Sequence, residues 1–183
     1  MIIPDGNLPI TLVARRTSRL CHNVRQRWLA RYDKLRHTGS GFGPISKKSD
    51  TMLLSVPVSV GEVVDKVTIL EIKLARIVDH DKLENVTAEL DSLRPLVSGG
   101  VFDSDEMVSL TDALRTVNGH LWDIEDNIRA EEAGGRFGDR FIELARAVYV
   151  TNDRRAELKK QINLATGSAL VEEKSYKDYS GKG

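Results

Sequence analysis

An arginine stands where a helix should be apolar. Stepping by three and four from Phe141 gives Leu144, Val148, Thr151, Arg155, Leu158 and Ile162, a helical seam that is otherwise largely hydrophobic. A guanidinium cannot enter a core alone; it needs a carboxylate or a ligand anion. Thr151 shares the seam, and Asn152 and Arg154 flank it. Folding the chain back at Gly134–Gly135 sets Asn118 near Asn152 and Leu114 near Arg155. Asn118, Thr151, Asn152 and Arg155 then share one polar layer. Asp65 and Glu71 interrupt the apolar surface of an earlier helix and are the carboxylates expected within reach. The layer has two uses. It is a buried pair that fixes register, as polar seam residues do in coiled coils. Or it is an anion pocket with Arg154 and Arg155 as the fork. We favour the first, since structural ion-pair networks often mimic sites.

Other constellations carry less. The acidic groups Asp123/Glu125/Asp126 and Glu131/Glu132 have the oxygens that Mg²⁺ takes. Glu125 and Arg129, however, have the i,i+4 spacing of a surface ion pair, so a solvated face is expected and no metal is assigned. His22, His37, His80 and His120 lack ligand spacing. A single cysteine, Cys21, excludes a disulfide framework and a Cys-based zinc site. There is no Gly-rich phosphate loop after a strand and no Ser/His/Asp order. No catalytic residue and no cofactor are assigned.

The elements that position the arginine are helices. Ser59-Val-Gly-Glu62 has the form of a capping box, and Val60, Val63, Val67, Leu70, Leu74 and Ile77 follow at heptad steps. Val64, Ile69 and Ile72 widen that surface, which predicts neighbours on two sides. A second helix starts at Asp81-Lys-Leu-Glu84 with a seam of Leu83, Val86, Leu90, Leu93 and Val97, and Pro95 ends or kinks it near Leu93–Arg94. Ser98–Ser104 reads as a loop. A third helix spans Asp105 to Ala133 on Met107, Leu110, Leu114, Val117, Leu121, Ile124 and Ile128. The fourth spans Asp139 to Leu164, with Gly167 ending it. At roughly 26 residues each, these two are about 40 Å long, and the short glycine turn makes them a hairpin. Trp122 flanks the seam as half-buried core. From Ser168 an irregular tail begins, and its apolar start, Ala169-Leu-Val171, is expected to dock on the bundle. The expected fold is all-α: an antiparallel four-helix bundle, coiled-coil-like in its packing, with a long hairpin.

Composition agrees. Of 183 residues, 40% are hydrophobic and 30% charged, which excludes a disordered chain; no apolar run is long enough for a transmembrane helix. Aromatics at 5% argue against a base-stacking nucleic-acid surface on the main domain. The zero net charge is a cancellation. Residues 1–51 hold ten Lys or Arg against three Asp, a net +7, and the remainder balances it with 17 basic and 24 acidic residues. A Gly/Ser/Pro-rich stretch from His37 to Ser49 separates the two, so residues 1–51 are expected to be a basic, flexible extension and 52–183 the bundle domain with its tail. The extension suits anionic lipid, nucleic acid or organelle targeting. Set against these is translation from Met52, where the ordered pattern begins, with residues 1–51 as upstream sequence.

Four blocks carry a resemblance: Val58-Ser-Val-Gly-Glu-Val-Val-Asp-Lys-Val-Thr-Ile-Leu-Glu-Ile-Lys73, Leu121-Trp-Asp-Ile-Glu-Asp-Asn-Ile-Arg129, Tyr149-Val-Thr-Asn-Asp-Arg-Arg155 and Val171-Glu-Glu-Lys-Ser-Tyr176. Over about residues 52–179 the chain resembles a small bacterial family of unknown function. The resemblance implies a setting beside surface-polysaccharide and glycosyl-transfer genes, and members that begin near Met52. The expected function is a non-catalytic accessory or interaction module in the cytoplasm, with a protein partner or a second copy. The alternative is a small helical enzyme or a protein binding anions or sugar nucleotides through the Arg155 layer.

Overall fold

The computed structural model describes residues 52–175. Among them the chain is all-helical, with four α-helices and no strand. The expectations for the basic extension lie outside the described residues.

Helix α1 spans Val60–Arg76. Ser59 is its N-cap and accepts from the Glu62 amide, as the capping pattern predicts. Helix α2 spans His80–Leu93; its cap is Asp79, two residues before the expected start, and Asp79 accepts from the Lys82 amide. Pro95 does end this helix, and Arg94–Val97 continue as a 3₁₀ turn. Val97, expected on the helical seam, sits in that turn and packs against the core. A second 3₁₀ turn, Gly100–Asp103, occupies the expected loop. Helix α3 spans Asp105–Ala133 and starts on a Ser104 cap. Helix α4 spans Asp139–Thr166, slightly longer than expected. It ends at Gly167, whose φ of 63° is a left-handed conformation that suits glycine.

Packing centres on α1. It lies against α2, α3 and α4, whereas α2 packs mainly on α1 and on the 3₁₀ turn that follows it. The first helix therefore has three helical neighbours, and its broad apolar surface is consumed: Val64, Val67, Leu70, Ile72 and Leu74 are all buried. Where α1 meets the hairpin, Val64, Met107, Leu114, Leu158 and Ile162 form one cluster. Contacts between α1 and α4 run in opposite order along the two helices, Glu62 meeting Lys159 and Asp65 meeting Arg155.

Gly61 explains how closely α1 and α4 approach. A Cβ there would sit 2.6 Å from the Lys159 carbonyl oxygen, a backbone atom that cannot swing away. Its amide donates to Asn163 Oδ1 at 2.7 Å. Beside it, the Val60 amide donates to Ser168 Oγ. The N-terminus of α1 is thus closed by Ser59, Asn163 and Ser168, which satisfy amides that a helix start leaves open.

Candidate functional site

The polar layer is built on Asp65. This residue lies beside the heptad seam of α1, next to Val64, and is 2% exposed where α1 meets α3 and α4. Arg155 reaches it from α4 in a two-pronged pair, Nε donating to Oδ1 at 2.9 Å and Nη2 to Oδ2. From α3, Asn118 Nδ2 donates to the same Oδ1 at 2.8 Å and to Thr68 Oγ1 at 3.0 Å. Thr68 in turn donates to the Asp65 carbonyl. Three helices therefore meet in one satisfied network, the condition under which a buried charge is tolerated. The hydrogen bonds to Asp65 raise the Arg155 pKa above its ordinary value against the opposing effect of burial.

Of the residues singled out in the sequence, the structure joins Asp65, Asn118 and Arg155 in this network. Asn152 stands beside it and lines a groove of about 340 Å³ with Asn118, Arg155 and Trp122. Thr151 is half-buried on the same helix without a bond to the network, and Arg154 is exposed. Glu71 lies elsewhere. It accepts from Arg94 at 3.2 Å and from Arg115 at 2.9 Å, tying the turn after α2 to α1 and α3.

The acidic groups of the hairpin are engaged by neighbours. Asp123 pairs with Arg76, Glu125 with Arg129 at 2.9 Å, and Glu131 with Arg136 at 2.9 Å. Trp122 is half-buried, as expected; its indole nitrogen donates to Asp126 Oδ2 at 2.7 Å, and the Arg76 guanidinium lies over its ring.

A second polar cluster escaped the sequence reading. Lys159 is buried on α4 and donates to Glu62 and, at 2.6 Å, to Glu172 of the tail. Burial pushes the Lys159 pKa down, but the bonds to Glu172 and Glu62 outweigh it and hold the pKa above its ordinary value. Glu172 is held below the usual glutamate value, first by the Lys159 bond and then by Glu62. The tail is thus fastened by polar residues, Ser168 and Glu172. Leu170 and Val171, expected to dock, are exposed. The signal for this cluster was Gly61: a glycine in the first turn of a helix marks a close approach, and Lys159 and Asn163 at i,i+4 are what approaches.

This run of a Ser59-capped helix, a three-helix polar layer and a tail strapped back by Glu172 is spanned by one family match. Residues 54–181 match the family described as a family of unknown function, DUF6165. The chain belongs to that family. No curated protein and no solved structure matches it. The four helices of this DUF6165 protein and the tail as far as Glu172 fall within the matched residues. Among the described residues, no helix is long and apolar enough to cross a membrane.

Proposed function

We propose that this DUF6165 protein is a non-catalytic interaction module, working in the cytoplasm beside the enzymes of surface-polysaccharide synthesis. The observation that carries the reading is where apolar side chains remain outside. In the hairpin, Phe137 is 57% exposed and Ile142 53%, and Tyr149, seven residues after Ile142, lies on the same face of α4. Apolar residues placed together on a surface mark contact with a partner or a second copy. The buried charges support the same reading from the other side: Asp65, Arg155 and Lys159 are spent on one another and on Glu62 and Glu172. An anion pocket on Arg155 draws less support, because Asp65 already takes its fork. The four helices are read as an antiparallel bundle, which the opposed order of α1 and α4 contacts supports.

Sedimentation velocity at micromolar concentration tests the proposal. A species heavier than the 20.4 kDa chain is expected, shifting to monomer in the Phe137→Ser/Ile142→Ser variant. A strict monomer that hydrolyses a nucleotide sugar with Mg²⁺ overturns it.

A further inference from the structure

We propose that the groove beside Arg155 binds a neutral, polyhydroxylated ligand, a sugar ring. Its volume of about 340 Å³ lies at the lower end of the range for small-molecule sites. Leu121, Ile69 and Trp122 supply apolar wall, and Trp122 is the one aromatic ring among the lining residues. An indole offers a rigid apolar face at low entropic cost. Its orientation is set from two sides, by the bond to Asp126 and by Arg76.

The polar part of the lining discriminates between ligand classes. Two guanidinium groups, Arg129 and Arg155, are matched by the carboxylates of Glu125, Asp126 and Asp65. The groove therefore holds no surplus positive charge with which to capture a phosphate. What it does hold is unused hydrogen-bonding capacity of both kinds. Among the described residues Asn152 makes no side-chain hydrogen bond, leaving an amide that both donates and accepts. Arg155 uses Nε and Nη2 on Asp65, which leaves Nη1 as a donor. Asp126 takes the indole on Oδ2, which leaves Oδ1 as an acceptor. Paired donors and acceptors around an apolar face suit hydroxyl groups, each of which both gives and receives. None of the residues lining this groove belongs to the exposed set of the interaction reading, so either can fail alone.

The test is titration of the full chain with a panel of neutral methyl glycosides at millimolar concentration, followed through the Trp122 indole N–H resonance. Trp28→Phe leaves that resonance unambiguous. A saturable shift is expected with at least one glycoside, weakened about tenfold in Asn152→Ala, the loss of one to two hydrogen bonds. Asn152 has no partner to lose, so the variant should fold as the parent does. No saturable shift with any glycoside overturns the proposal. So does a shift produced by inorganic phosphate or a nucleoside diphosphate instead, which would make the groove an anion site. A glycoside shift that persists unweakened in Asn152→Ala overturns the assignment of the groove.

Discussion

Around Asp65, polar side chains from three helices are sealed together. Toward the Gly134–Gly135 turn, the same two long helices carry their charges outside and pair them locally. Asp65, Thr68, Asn118 and Arg155 bond across helices, whereas Glu125–Arg129, Glu131–Arg136 and Arg140–Glu143 are neighbours in sequence. The heptad pattern does not differ between the two regions; the presence of α1 does. That helix ends at Arg76, which meets Asp123. Up to that level of the hairpin Met107, Leu114 and Leu121 are buried. The next position in that seven-residue series, Ile128, lies beyond it and is only half-buried. A seam read from sequence reports which face is apolar; how deeply it is buried depends on what else covers it.

The sharpest way to break the comparison is to remove Arg155. The Asp65 carboxylate, 2% exposed in the parent, would lose its principal partner. Arg155→Ala is expected to destabilise by about 3–5 kcal/mol in urea melts. Asp65→Ala should cost less, because the Arg155 side chain, 28% exposed, can hydrate through its open edge. An Arg155→Ala variant as stable as the parent would show that the network holds nothing together. Next is Gly61→Ala, where the added methyl meets the Lys159 carbonyl and crowds Asn163 Oδ1 at 3.0 Å. Overpacking of this kind costs about 1–3 kcal/mol. A smaller change is expected in the hairpin. Ile128→Ala, half-buried and beyond the reach of α1, should cost about 1 kcal/mol. If it costs as much as Arg155→Ala, the two regions do not differ as described.

Much of this was legible in the sequence, and the residues that were not share a cause. Ser59, Pro95 and Gly167 act on backbone within a few residues of themselves, so their effects are local and readable. Glu125 and Arg129 meet within one helix, so spacing alone pairs them. Asp65 and Glu71 looked equivalent because both interrupt one apolar helix. Their different fates depend on rotation about the axis, which sends Asp65 to Arg155 and Glu71 to Arg94 and Arg115. Lys159 and Asn163 lie one residue past the seam members Leu158 and Ile162, on a face that becomes interior only because Gly61 admits α1. The tail misled for a related reason. Ala169-Leu-Val171 had the composition of a docking segment, but the open groups nearby were an amide and an ammonium, which call for Ser168 and Glu172.

The smallest effect on global stability, and the most local, concerns that strap. Glu172 is about two-fifths exposed, so its pair with Lys159 is worth under about 1 kcal/mol. Its pKa is lowered in the folded protein, so this contribution is present above the ordinary glutamate value and is lost as pH falls through the folded one. Lys159 has the opposite sign: its raised pKa keeps the pair intact until strongly alkaline pH. The strap should therefore hold at neutral pH and loosen on acidification below the usual glutamate range. Backbone order parameters at Leu170 and Val171 should fall there and in Glu172→Gln at neutral pH, while the melting midpoint moves by a degree or two at most. Unchanged order parameters in Glu172→Gln would mean that Ser168, through the Val60 amide, anchors the tail alone. A large fall in the midpoint would place Glu172 with Asp65 among the residues that hold the helices together.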